Sequence, residues 1–372
     1  MIDELLAAID EEVADHLSNL PEATVMVGIT VRGERHIRSY RSEGAELVGL
    51  PTADSIFEIG SVSKVFCATV LAALVNEGRL SLEDTLGTLL PNGSELSPEI
   101  ARLRVIDLVT HTAGVRSVGP IHQSYIDEET RGFPLPPFGF TTHYLRYRKE
   151  HLYDDWANLT VDAPVGSEWN YSVISMGTVG HICELVTGRS YEDLLVEHVC
   201  KPLGLLDTRY ALTPEQQERV VRAYLPQSGM PAPNWFHDVL MPQGGLRSSM
   251  NDLLAFAEAN LAAAKDDSPL SQAIQLARTP VITAPSKLDP TRQVTQALAW
   301  RQFLERPGAT EHGGVTLFYQ AGLGVDDDAQ VGVVVLSSAY DNMATLDIIC
   351  EAFGHKPFGK RFLSWFERAL AL

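Results

Sequence analysis

The sequence predicts an α/β protein of the α+β type. One antiparallel sheet is assembled from N- and C-terminal segments and flanked by helices, and a mostly helical domain is inserted between those segments. Three observations lead there. β-Branched runs lie towards both ends of the 372-residue chain, at "ATVMVGITVRGERHIRSYRS" and "AQVGVVVLSSA". The region from 80 to 240 carries helical periodicity and long loops instead. With 45% hydrophobic and 21% charged residues, the chain has apolar material for a large core without a disulfide or metal staple. The expected division is a sheet domain from residues 1–79 and 241–372, a helical domain from 80–240, and an active site at their interface.

The first element, "MIDELLAAIDEEVADHL", is an acidic amphipathic helix with Leu5, Leu6, Ile9, Val13 and Leu17 on one face. It has neither the basic start nor the continuous apolar stretch of a secretory signal, so a cytoplasmic location is expected. No run approaches the length of a membrane span. A hairpin follows, with its turn placed at Gly33-Glu34. "SIFEIGS" is a short strand entering a turn, and from that turn a long apolar helix begins with Ser61 and Lys64 at its start. "SVISMGTVGHICELVTG" and "SYEDLLVEHVCKPLG" are helices ended by glycine. Residues 249–262 form another, with Ser249 or Asn251 as its cap. "QALAWRQFL", "GVTLFYQAGLGV" and "AQVGVVVLSSA" are three strand-like runs, and Asp326–Asp328 fall in the turn between the last two. A calcium site at that triplet lacks the other spaced oxygen ligands. A final helix runs from about 344 into the C-terminus.

Charge and composition exclude several functions. The net charge of −19, from 48 acidic against 29 basic residues, repels phosphate backbones and anionic lipid, so neither nucleic acid nor membrane is an expected partner. Cys67, Cys183, Cys200 and Cys350 form no CxxC pair, and Cys67 and Cys183 read as buried free thiols on helical faces. His143, His151, His181 and His237 show no metal-ligand spacing and read as surface or packing residues. No metal or cofactor is expected.

Ser61 and Lys64, three residues apart, share one face of a helix start. A serine hydroxyl becomes a nucleophile when a neighbouring base takes its proton. A lysine serves as that base when burial and a positive helix N-terminus disfavour its ammonium form. The same N-terminus offers backbone N–H groups to a developing oxyanion. The bland alternative is that Ser61 caps the helix and Lys64 points into solvent.

Other stretches bear on that choice. "PVGSEWNYSVISMG" puts Tyr171 just before a helix, and "EHGGVTLFY" puts His312 and two glycines at the start of an edge-like strand. "LVTHTAGV" and "MPQGGLRSSMNDLLAF" add two more motifs. Together, in this order and at these separations, they resemble the serine hydrolases related to class C β-lactamases, penicillin-binding DD-peptidases and their esterase cousins. The resemblance covers nearly the whole chain and implies the fold of that superfamily. It implies that Ser61 is the acylated nucleophile and that Lys64 lowers the cost of removing its proton. Tyr171 matches the tyrosine of the Y-x-N motif and would shuttle protons. His312 matches the first position of the K/H-T/S-G motif and would hydrogen-bond Tyr171, keeping its phenolate form accessible. The backbone N–H groups of Ser61 and Val315 would form the oxyanion hole, and Gly313 and Gly314 would let the strand lie close to substrate. His111, in "THTAG", is read as a packing residue, Asp107 as a helix cap, and Gly244 and Gly245 as shaping a turn at the pocket edge.

Two departures matter. Tyr171-Ser172-Val173 lacks the asparagine whose amide, in the family, contacts the lysine and the substrate's acyl amide. His312-Gly313-Gly314 lacks the hydroxyl that helps hold a β-lactam or D-Ala-D-Ala carboxylate. A site without a hydrogen-bond partner discriminates poorly in favour of the ligand that used it. The expected substrate is therefore another small ester, thioester or amide. Phe138 and Trp156, with Phe133, Phe140 and Tyr144, either line an apolar pocket at this site or pack their loop onto the helical domain. An esterase or amidase comes first. A cytosolic acyltransferase or peptide cyclase using the same acyl-enzyme comes next, ahead of a β-lactamase, a DD-peptidase or a silent binding protein.

Overall fold

The computed structural model of the chain describes residues 2–18, 20–46, 48–130, 142–224, 230–304 and 306–338. The expected C-terminal helix, Cys350, Phe133, Phe138 and Phe140 lie outside them.

Strands β1 (Thr24–Val31) and β2 (Glu34–Arg41) come from the N-terminal part, with a short β3 (Ile56–Glu58) after them. The C-terminal part supplies β4 (Arg247–Ser249), β5 (Ile282–Pro285), β6 (Gln293–Gln296), β7 (Arg301–Phe303), β8 (Arg306–Val315), β9 (Gln320–Asp326) and β10 (Val331–Ser337). The large sheet runs β2-β1-β10-β9-β8-β7-β6-β5 and is antiparallel throughout. The two ends of the chain therefore meet where β1 pairs β10, with Val25 opposite Ser337.

Period-two patterning sorts the faces of this sheet. Val25, Val27 and Ile29 of β1 join Val333 and Val335 of β10 beneath helix α1 (Ile2–Leu17), which buries the stripe Leu5, Leu6, Ile9, Val13 and Leu17. Met26, Val334 and Leu336 point the other way, into the larger core. The helix Met250–Ala262 presses on that face where Gly28 leaves room. A Cβ at Gly28 would lie 2.3 Å from Met250 Sδ. Helix α2 (Ser63–Asn76) is buried at every residue from Ser63 to Leu74, as expected of a helix apolar on all sides. It packs against the helices Pro269–Arg278, Val173–Thr187 and Met241–Gly244. The short β3 pairs β4, with Glu58 opposite Arg247, and ties the chain before α2 to the segment around residue 245.

Capping follows local chemistry. Ser249, rather than Asn251, caps Met250–Ala262 by accepting from Asp252 N. Gly188 and Gly204 end their helices at φ +71° and +66°. Asp107 accepts from Arg104 N at the start of Val105–Val109 and also from the Arg104 guanidinium.

Several expectations shift. The hairpin loop is Arg32-Gly33, at φ +51° and +87°, rather than Gly33-Glu34; two residues at positive φ match the right-handed twist of the strands. "QALAWRQFL" is a tight hairpin, not one strand. Ala299 sits at φ +62°, Ala297 N donates to Trp300 O, and only Arg301–Phe303 continues as strand. "GVTLFYQAGLGV" is likewise two strands joined by a turn in which Thr316 N donates to Tyr319 O at 2.9 Å. Leu317, Phe318 and Tyr319 of that turn are buried, so an unbroken apolar run concealed the reversal. His312-Gly313-Gly314 lies near the end of β8, not its start, and β8 is an interior strand between β7 and β9. Of the acidic triplet, Asp326 closes β9 fully buried, accepting from Arg306 Nε and Ala329 N, so it is committed to the fold.

Candidate active site

The site forms where the turn before α2 crosses the end of β8. Gly60, at φ +49°, opens a short 3₁₀ turn, Gly60–Val62, that carries Ser61 into α2. A Cβ at Gly60 would lie 2.6 Å from Val315 N, and one at Gly314 would lie 2.0 Å from Ile59 O and 2.9 Å from Ser61 N. Two facing glycines thus bring the backbones of Ser61 and Val315 together, which no residue with a side chain permits. Ser63 pins the turn, donating to Gly60 O at 2.6 Å and accepting from Leu246 N at 3.1 Å.

Lys64 is fully buried one helical turn after Ser61, with Nζ 2.9 Å from Ser61 Oγ. Nζ also lies 2.5 Å from the main-chain oxygen of Gln243, 3.3 Å from its Oε1, and 4.7 Å from the centre of the Tyr171 ring. Burial drives the Lys64 pKa well below the ordinary lysine value, which favours a neutral amine. The alternative of a capping serine beside a solvent-facing lysine does not describe this arrangement: Ser61 makes no cap hydrogen bond to α2, whose N-cap position is Val62.

Tyr171 comes from the segment preceding the helix Val173–Thr187 and donates its hydroxyl to Ser61 Oγ at 2.6 Å. Its ring packs on His111 at 4.7 Å and near Trp169 at 6.0 Å. His111 is buried at φ +60°. Its Nδ1 accepts from Ser172 N at 3.1 Å, and its carbonyl accepts from Asn170 N, so it buttresses both residues flanking Tyr171. Burial pushes the Tyr171 phenol up, against the smaller opposing effects of Ser61 and Arg301. A charged oxygen there would lose its hydration, so burial works against the phenolate form that the resemblance implies.

His312 is 2% exposed, with Nδ1 2.6 Å from the carbonyl of Gly313, which assigns the proton to Nδ1 and leaves the lone pair on Nε2. Burial, then the charge of Arg301, drives its pKa well below the usual histidine value. Gly313 and Gly314 pair with Gly322 and Ala321 of β9. Val173 is the first residue of its helix, partly buried against the main core.

Trp156 is not a pocket wall. It is 0% exposed and donates from Nε1 to Thr178 Oγ1 at 2.8 Å, so it belongs to the core. Phe138 lies outside the described residues. His143, His181 and His237 are taken up in ring packing and hydrogen bonds. Among the described residues, no group of three or more His, Cys, Asp or Glu is arranged to hold a metal ion, and no helix is long and apolar enough to cross a membrane.

Sequence reasoning missed two features. Gln243 was passed over because "MPQGG" draws attention to its glycines; the available signal was a lone amide inside an otherwise apolar turn. Arg301 and Glu311 form a buried pair opposite each other on β7 and β8, which "QALAWRQFL" hides under its apolar residues.

A helix-borne serine, a buried amine and a phenol within hydrogen-bond reach of one oxygen can carry acyl transfer. The model of the family described as Beta-lactamase matches residues 13–347. The chain belongs to the Beta-lactamase family. It is 26% identical over 297 residues to a β-lactamase of Pseudomonas fluorescens, covering 79% of this chain and 74% of that one. It is 24% identical over 377 residues to the D-alanyl-D-alanine-carboxypeptidase/endopeptidase AmpH of Escherichia coli, covering 95% and 91%. A match to penicillin-binding protein 4 of Amycolatopsis lactamdurans, 28% identical, covers 56% of this chain and 52% of that relative, about half its length. The fold superposes on a β-lactamase/D-alanine carboxypeptidase from Pseudomonas syringae with a TM-score of 0.73 at 21% identity, covering 99% and 98%. It superposes on a D-alanine carboxypeptidase AmpC from Burkholderia cenocepacia with a TM-score of 0.74 at 18% identity, covering 99% of each chain. The family fold of the serine hydrolases related to class C β-lactamases, expected from the motifs, is the fold observed.

Proposed function

We propose that the chain is a serine hydrolase that works through an acyl-enzyme on a small ester, thioester or amide. The observation that carries this reading is the convergence on Ser61 Oγ of the buried Lys64 Nζ at 2.9 Å and the Tyr171 hydroxyl at 2.6 Å. Neutral Lys64 takes the Ser61 proton as Oγ attacks the substrate carbonyl. The oxygen of the tetrahedral intermediate lies towards the N–H groups of Ser61 and Val315, adjacent through the glycine contact. Collapse breaks the bond to the leaving group, which takes a proton from Tyr171, and Tyr171 recovers one from Lys64. Water then attacks the acyl-enzyme, gives its proton to the same relay, and releases the acid and Ser61. His312 lies on the neighbouring strand, where burial disfavours its charged form.

The names of the relatives favour a second reading, a β-lactam or D-alanyl peptide as substrate. Val173 and Gly313 argue against it, since neither supplies the amide or hydroxyl discussed above. The test is product analysis after incubation with a panel of small esters, thioesters and amides, with and without amine or alcohol acceptors. Hydrolysis products with a transient acyl adduct on the protein support the reading. Products formed only when an acceptor is present replace hydrolysis by acyl transfer.

A further inference from the structure

We infer that Gln243 is the residue that positions Lys64 as the base for Ser61, an inference that rests on the acyl-enzyme reading of this site. The geometry is a count of protons and lone pairs. A neutral amine has two N–H bonds and one lone pair. Three oxygens surround Lys64 Nζ: Gln243 O at 2.5 Å, Gln243 Oε1 at 3.3 Å and Ser61 Oγ at 2.9 Å. The two oxygens of Gln243 are acceptors only, so they take the two N–H bonds. The lone pair is left facing Ser61. Tyr171 already donates to Ser61 Oγ, so the serine's own proton points at Lys64. The serine proton is thereby directed to Lys64, and Tyr171 keeps its own proton for the leaving group.

Local structure makes this placement available. The four-residue helix Met241–Gly244 ends one residue after Gln243, which leaves the Gln243 carbonyl without a partner in its own helix. The pairing of β3 with β4 and the bond from Ile59 N to Leu246 O hold that carbonyl against the start of α2. The segment Tyr171-Ser172-Val173 on the opposite wall carries no amide side chain, so Gln243 supplies one from a different element.

A second observation separates this role from simple packing. Gln243 is 3% exposed, and its Nε2 is buried without a close hydrogen-bond partner among the described residues, its weak interaction being with the Tyr144 phenol. A buried donor satisfied only weakly costs stability. A side chain kept only for the fold would be better replaced by an apolar one of the same length. Burial disfavours the charged forms of the titratable groups coupled to this site, Cys67 on α2, Tyr171, His111, His237 and His312, and of Tyr144 beside Gln243.

The experiment compares Gln243→Met and Gln243→Glu with the parent, reading the single-turnover acylation rate with a p-nitrophenyl ester across pH and the melting temperature. Gln243→Met keeps the main-chain contact and removes Oε1 and Nε2. Its acylation rate is expected to fall about 10- to 100-fold, within the range of general-base effects, while its melting temperature is unchanged or raised. Gln243→Glu places a carboxylate beside the amine and favours the ammonium, so the acid limb of acylation moves to higher pH and the rate recovers on the alkaline side. Parent-like rates and pH profiles in both variants overturn the inference for Gln243 alone, provided Ser61 still carries the acyl group. If Ser61→Ala in the parent background acylates as before, the acyl-enzyme reading itself fails, and the inference with it.

Discussion

Arg301 and Glu311 face each other across β7 and β8 as a buried ion pair, 2.8 Å apart and one residue before His312. Removing one partner of such a pair leaves an uncompensated charge in the core, at a cost of about 3–5 kcal/mol, whereas replacing both by apolar residues is often neutral. Glu311→Gln should therefore lower the urea midpoint strongly, and Arg301→Met with Glu311→Leu should recover most of the loss. A Glu311→Gln variant as stable as the parent would show that the pair is not what holds β7 to β8.

The contact between Gly314 and the Ser61 turn makes a steric prediction. A Cβ at Gly314 would lie 2.0 Å from Ile59 O, so the turn and the strand must separate. Gly314→Ala should reduce kcat/KM for an activated ester by at least about two powers of ten, a typical loss for disturbing an oxyanion site. Gly313→Ala, one residue along, serves as the comparison. Equal activities in the two would mean that the crossing of β8 and the turn does not set the site.

Burial of Lys64 couples activity and stability to pH in opposite ways. Its folded pKa is depressed, so between the folded and unfolded values the unfolded chain binds more protons, and stability rises with pH through that window. At neutral pH the buried amine is therefore a burden on the fold. Lys64→Met should raise the melting temperature while abolishing acylation. The kcat/KM profile of the parent should show an acid limb below the ordinary lysine range. It should show no loss from Tyr171 up to the ordinary tyrosine pKa of 10.0, since that phenol is raised. An activity that appears only above the ordinary lysine value would contradict a neutral Lys64.

Val173 and Gly313 set a substrate preference. Each missing hydrogen bond to a buried or charged group is worth about 1–3 kcal/mol. Two together correspond to about two to four powers of ten in rate at 1.36 kcal/mol per tenfold. A p-nitrophenyl ester needs neither contact, so its kcat/KM should exceed that of a cephalosporin by that order. Efficient cephalosporin turnover would restore the β-lactamase reading.

Much of this was legible in the sequence because the signals are local. The stripe from Leu5 to Leu17, the apolar α2, and the spacing of Ser61 and Lys64 depend on periodicity, which the chain displays directly. What escaped depends on tertiary packing. The turn at Thr316–Tyr319 is buried and so carries no polar punctuation. Arg301 reads as an isolated charge until β7 brings it to Glu311. Gln243 gains its meaning only when β3–β4 pairing sets it against Lys64. Trp156 looked like a pocket residue because its sequence neighbours are aromatic, yet Thr178, from a distant helix, claims its indole N–H.

The most direct test is the mass of the protein after reaction. Incubation with a fluorophosphonate, and separately with a slowly released ester, should add one adduct per chain, and peptide mapping should place it on Ser61. Ser61→Ala should stay unmodified while melting like the parent. An adduct that persists in the folded Ser61→Ala variant, or that maps to another residue, would contradict the account at its centre.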